Sequence, residues 1–98
     1  VVIGSTVEVM RPASPESVIK NVGRRVAELR GELGQTQEEF SAQVGIGLKY
    51  LQRIEAGREN LTIESLVKLA NQLNARVTAL FEPARTQSGR RGRPPRGA

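Results

Sequence analysis

The stretch TQEEFSAQVGIGLKYLQRIEAG, residues 36–57, decides the reading of this chain. It opens on Thr36 with Glu39 three positions later, the T-x-x-E capping box in which each side chain satisfies an orphan backbone N–H at a helix start. A short helix is expected from there, with Phe40 and Val44 facing inward. Gly45 permits a sharp turn. A further helix is expected from about Gly47 to Ala56, and Gly57 ends it. At about 100° per residue, Ile46, Tyr50, Leu51 and Ile54 share one side of this helix and are expected to face the helices before it. Lys49, Gln52 and Ala56 point the opposite way, with Leu48 and Arg53 at the margins. Folding has no need of that outward set. A solvated helix face and a binding face both account for it, so the context has to choose.

Outward from this stretch, the chain marks its own folded segment, because all five prolines (Pro12, Pro15, Pro83, Pro94 and Pro95) lie outside residues 16–82. Ser14-Pro15-Glu16 has the form of a cap followed by a first-turn proline, so the first helix is expected to begin near residues 14–17. Ile19, Val22, Val26, Leu29 and Leu33 then recur at steps of three and four, and Gly34 suits a left-handed stop. Gly23 and Gly31 inside this run each weaken it by about 1 kcal/mol relative to Ala, so packing has to hold it. A fourth helix opening at Thr62 places Ile63, Leu66, Val67, Ala70 and Leu73 inward. A fifth, over residues 76–81, offers Val77, Leu80 and Phe81. The expected fold is all-α: a compact five-helix bundle over residues 16–82 with flexible N- and C-terminal tails.

The flanks differ from this segment. Residues 1–15 are expected to form a flexible arm, although Val7 and Val9 alternate weakly, as a short strand would. Since the sequence opens on Val1, Met10 is a candidate natural start. Residues 83–98, PARTQSGRRGRPPRGA, are rich in Gly, Pro and Arg and hold too little apolar surface for a core.

Composition narrows the chemistry. A chain of 98 residues amounts to one small domain, which buries roughly 60% of the surface exposed when unfolded. There is no cysteine, no histidine and no aspartate, and all ten acids are glutamate. Ser/His/Asp, Cys/His and zinc constellations are therefore impossible, and neither an enzyme nor a metal or cofactor site is expected. No apolar run approaches the roughly 18 residues that span a bilayer, and the start lacks a signal peptide's basic and apolar regions. A soluble cytoplasmic protein without membrane partners is expected. The net charge of +5 is located in the tail: Arg85, Arg90, Arg91, Arg93 and Arg96 face no acid there, whereas residues 1–82 balance ten Lys and Arg against ten Glu. Such a run is either a solvated tail or a seeker of polyanions such as nucleic acid.

Residues 22–82 resemble the helix-turn-helix domain of the phage Cro/repressor type, the lambda-repressor-like or XRE family of bacteria and their phages. The residues that carry the likeness are VAELRGELGQTQEEFSAQVGIGLKYLQRIEAGREN followed by LTIESLVKLANQLNARVTALF. Most specific are Leu33-Gly34, Thr36-Gln37-Glu38-Glu39, Val44-Gly45, Ile54-Glu55-x-Gly57 and Leu80-Phe81. The resemblance implies that the third helix lies in the DNA major groove while the second crosses the phosphate backbone. By position, Gln37 matches a phosphate contact, and Gly47, Leu48, Lys49 and Arg53 match residues facing base edges, with Gln52 beside them. The side chains suit those roles: Arg53 or Lys49 can donate to guanine O6 and N7, Gln52 can pair with an adenine edge, and Leu48 can pack on a thymine methyl. Arg58 and Asn60 match loop positions that hold the backbone. Arg30 and Glu55 match a structural salt bridge between the first and third helices, with a phosphate contact by Arg30 as the alternative. Three positions depart from the pattern: Gly47 and Arg76 replace Ser/Thr caps, and Ser41 replaces Ala.

Within the tail, Arg90-Arg91-Gly92-Arg93-Pro94 contains Arg-Gly-Arg-Pro, the core of an AT-hook, in which an extended Arg-Gly-Arg lies in a narrow A·T minor groove. A tail that binds phosphate without preference is the other reading, with Arg96 adding to its charge. The resemblance thus implies a sequence-specific transcriptional regulator, with repression the expected direction, that binds double-stranded DNA as a homodimer and associates with the bacterial nucleoid when bound. Restriction-modification controllers and antitoxins with a toxin partner are small members of the same class. A module of this fold that binds protein and not DNA is the alternative from another class, opposed by Lys49, Gln52, Arg53 and the arginine tail.

Overall fold

The computed structural model describes residues 13–85. Four α-helices and a 3-10 helix follow one another with short connections: α1 (Pro15–Glu32), α2 (Gln37–Val44), α3 (Leu48–Glu55), α4 (Ile63–Gln72), then the 3-10 helix Val77–Phe81. Local chemistry sets the helix starts. The Ser14 hydroxyl accepts from the Ser17 N–H at 3.1 Å ahead of Pro15, and Thr62 accepts from the Ser65 N–H at 3.0 Å. At α2 both halves of the capping box are made: Thr36 accepts from the Glu39 N–H at 3.0 Å, and Glu39 accepts from the Thr36 N–H at 2.9 Å. Gly34, Gly45 and Gly57 take the left-handed conformation just beyond helix ends, with φ of 72°, 86° and 77°.

The expected fifth α-helix is a five-residue 3-10 helix, which corrects the five-helix bundle to four α-helices and a tight turn. Arg76 makes no side-chain cap, Val77 and Thr78 are β-branched, and Glu82 is already extended ahead of Pro83. An α-helix has neither a nucleus nor room there.

The core comprises Val22 and Val26 from α1, Phe40 from α2, Leu51 and Ile54 from α3, Leu66, Leu69, Ala70 and Leu73 from α4 and its cap, and Leu80. The inward stripe of α4 is 66, 69, 70 and 73. Leu69, which the sequence reading did not place inside, takes the position assigned to Val67, and both Val67 and Ile63 at the helix start are exposed. Leu33, Phe81 and Tyr50 were also expected inside and are substantially exposed. Leu33 caps α1 past its packed turns, Phe81 sits at the end of the 3-10 helix, and Tyr50 covers a recess bordered by Val44, Ile46, Ser65 and Leu69. Among the described residues no helix is long and apolar enough to cross a membrane.

Two features of α1 position the rest. Gly23 lies directly under the end of α3: a Cβ there would stand 2.3 Å from the Ile54 carbonyl oxygen. Arg25, also on α1, is buried at 5% exposure. Its Nε donates to the Ala79 carbonyl at 2.8 Å, Nη1 to Glu28 at 2.9 Å and Nη2 to Glu82 at 3.4 Å, fastening the 3-10 helix to α1. Asn21 extends the fastening by donating to the Glu82 carbonyl and accepting from the Ala84 N–H, both at 2.8 Å, and Arg85 pairs with Glu32.

Candidate nucleic-acid interface

The turn between α2 and α3 holds because Gly45 and Ile46 both donate backbone N–H groups to the Ser41 carbonyl, at 2.9 and 3.0 Å. Ser41, buried, gives its own hydroxyl to the Glu38 carbonyl at 3.1 Å, so this polar group lies inside without an unpaired donor. Gly47 then begins α3 without a side-chain cap. Leu51 and Ile54 anchor α3 in the core, which turns Lys49, Gln52, Arg53 and Ala56 to solvent.

Lys49, Gln52, Arg53, Ala56 and Arg58 line one shallow depression. Three cations and an amide thus surround a single exposed surface, a density that favours an anionic partner. Leu48 is half-buried at the start of α3, and Gly47 is exposed beside it. Asn60 is exposed as well, but it borders a separate apolar groove with Val18, Ile19, Leu61, Ile63 and Phe81. The tail residues Arg90, Arg91, Arg93 and Arg96, with the AT-hook sequence, lie outside the described residues.

From Gln52 in the depression a polar chain leads away and ties α1, α2 and α3 together. Arg30 grips Glu55 in a bidentate pair, Nε to Oε2 at 2.7 Å and Nη2 to Oε1 at 2.9 Å, and spends Nη1 on the Gln35 carbonyl at 2.8 Å. Gln37 donates to the same Glu55 Oε1 at 2.8 Å, and Gln52 reaches the Gln37 Oε1 at 3.4 Å. The first residue of α2 is therefore linked to the exposed face of α3 through side chains held by a half-buried arginine. Fixed side-chain rotamers lower the entropy cost of meeting a partner.

The residue that sequence reasoning missed is Glu59, whose carboxylate engages Arg53 from the loop after α3. A separation of six across a left-handed glycine carries no periodic signal, so only the course of the loop reveals the pair.

The helix-turn-helix family profile HTH_3 matches residues 26–80, which contain the capped α2, the glycine turn and α3. The chain belongs to the helix-turn-helix family. It is 42% identical over 64 residues to an uncharacterized HTH-type transcriptional regulator, y4dJ, of Sinorhizobium fredii, a match covering 65% of this chain and 83% of that protein. An uncharacterized HTH-type transcriptional regulator of Archaeoglobus fulgidus is 35% identical over 57 residues, covering 58% of this chain and 81% of that protein. Among solved structures, the restriction-modification controller protein C.AhdI of Aeromonas hydrophila superposes with a TM-score of 0.61 at 30% identity, covering 64% of this chain and 96% of that one. In this helix-turn-helix domain α2 is the first helix of the motif and α3 the second.

Proposed function

We propose that this helix-turn-helix protein is a sequence-specific DNA-binding transcriptional regulator of the bacterial cytoplasm, a repressor that acts as a homodimer and reads the major groove with α3. The observation that carries the reading is the exposed set Lys49, Gln52, Arg53 and Arg58 around one depression, presented by a helix whose opposite face is core. Arg53 and Lys49 read guanine, Gln52 reads adenine, and Gly47 and Leu48 approach the base edges at the start of α3. Gln37, Arg58 and Asn60 hold phosphates and set the register. The Arg30–Glu55 pair serves structure. Exposed apolar side chains support the homodimer: Ile63 and Phe81 border one groove and are 71% and 48% exposed, and Val67 lies one turn along α4. Two copies would read half-sites about 10 base pairs apart or a multiple of that spacing.

Selection of bound duplexes from a random pool tests the proposal. An enriched inverted repeat with fixed spacing is the expected result, and a pool left unenriched refutes it. On the selected site, Arg53→Ala is expected to cost about 1–3 kcal/mol and to relax preference at one base pair. Equal weakening on every duplex in a binding titration would remove Arg53 from base recognition.

The basic tail adds a second contact, in the A·T minor groove or along phosphates. Because Ala84 and Arg85 are tied to α1, the truncation that isolates this contribution removes residues 86–98. It is expected to lower affinity for all duplexes and to flatten the salt dependence by up to about 3.6, at roughly 0.9 per arginine neutralising a phosphate. An unchanged slope would place Arg90, Arg91, Arg93 and Arg96 away from DNA, and a loss confined to A·T-rich duplexes would identify the hook.

A narrower reading, a restriction-modification controller, is favoured by the superposition on nearly the whole length of C.AhdI. Its test is whether the selected repeat occurs upstream of restriction and modification genes.

A further inference from the structure

Arg53 does not stand free on the reading face. Its Nε donates to Glu59 Oε2 at 2.7 Å, and its Nη2 lies 2.7 Å from the same oxygen. The two partners differ in setting: the Arg53 side chain is 61% exposed, whereas that of Glu59 is only 20% exposed. The acid is the fixed member. Its loop is tied back to α3 by the Arg58 N–H, which donates to the Arg53 carbonyl at 2.9 Å. An ion pair this open to solvent adds little to folding, so stability does not account for it.

A guanidinium carries five N–H groups in a planar fork. Glu59 occupies the side edge, formed by Nε and the near hydrogen of Nη2. The terminal edge, formed by Nη1 and the outer hydrogen of Nη2, is left over. Two parallel donors on that edge match guanine O6 and N7. The same carboxylate offsets the positive charge that Arg53 would offer to a phosphate, a contact that depends on the attraction of opposite formal charges more than the contact with the uncharged acceptors of guanine does.

We infer that Glu59 is a positioning residue for base recognition: by holding the side edge of Arg53 it presents the terminal edge to guanine and weakens the use of Arg53 on backbone phosphate. The inference rests on the DNA-reading role proposed above and goes beyond it by assigning specificity to an acid outside α3. Glu59 touches no base. Its effect passes entirely through Arg53.

The test uses the full chain and a duplex selected by it, with the three substitutions at each base pair and one unrelated duplex. Glu59→Gln is expected to reduce discrimination at the single base pair read by Arg53 by about 10-fold, the size of one good bidentate contact, and to tighten binding to the unrelated duplex. Preferences at the other base pairs stay as they are. Glu59→Asp, which keeps the charge but is too short to hold the edge, is expected to lose the same discrimination without tightening on unrelated DNA. In an Arg53→Ala background neither change alters any base preference. Discrimination that survives both Glu59 variants, falls equally at all positions, or responds to Glu59 when Arg53 is absent overturns the inference while the regulator reading stands. A wild-type chain that selects no site, or one whose site shows no preference dependent on Arg53, overturns it too, and the first of these also removes the regulator reading.

Discussion

Glu55→Ala is expected to cost about 3 kcal/mol of folding stability, the lower end of what is lost when one partner of a buried ion pair is removed. The Glu55 side chain is 7% exposed and that of Arg30 is 18% exposed. The truncation would leave the Arg30 Nε and Nη2 without their acceptor and release the amide of Gln37. Partial access of water to Arg30 keeps the figure at the lower end. Since a domain of this size is stable by only about 5–15 kcal/mol, the midpoint of urea denaturation should move visibly. Glu55→Gln, which retains one acceptor, should fall between the alanine variant and the wild type. A loss below about 1 kcal/mol in both would show that the pair behaves like an exposed one. The effect on DNA follows separately. Without Glu55, Gln37 loses its acceptor and Gln52 the partner that this bond holds in place, so binding at a temperature where the variant remains folded should still be weaker than wild type.

Gly23→Ala is expected to destabilise the domain by about 3 kcal/mol, at the upper end of the range for overpacking. The added Cβ would meet the Ile54 carbonyl oxygen at 2.3 Å and the Glu55 carbonyl oxygen at 3.0 Å. Backbone carbonyls cannot rotate out of the way as a side chain does, so α1 and α3 must separate. The matched control is Gly31→Ala in the same helix, where nothing lies within 4 Å of the new Cβ. Its only effect is on helix propensity, and it should stabilise by up to about 1 kcal/mol. Thermal unfolding should therefore shift in opposite directions for the two variants. Shifts of the same sign would mean that α3 does not rest on α1 at Gly23.

Gly23 and Gly31 look alike in sequence, each a helix-weakening residue in an apolar run. What distinguishes them is whether another helix passes over them, and that depends on contacts 31 positions or more away in the chain. The same division runs through the molecule. Ser14, Thr36 with Glu39, and Thr62 start their helices by bonding N–H groups three residues on, and Gly45 and Gly57 end theirs through their own φ, so these features are readable from local sequence. The exposed polar face of α3 was legible from helical periodicity, since the burial of Leu51 and Ile54 dictates where Lys49, Gln52 and Arg53 point.

Periodicity was weaker at element ends, where Ile63, Leu33 and Phe81 keep the apolar step but lie beyond the packed turns. It also left the choice between Val67 and Leu69 open, because a stripe of α4 is defined by what it packs against. Sequence by itself determined the order of the elements, their caps and turns, and the polar character of the α3 face, all of which arise from interactions within a few residues. Tertiary structure alone decided that Gly23 is a contact point, that buried Arg25 clamps a 3-10 helix in place of a fifth α-helix, and that Glu59 takes one edge of Arg53. Each of these depends on groups brought together by the path of the backbone, for which a linear pattern holds no record.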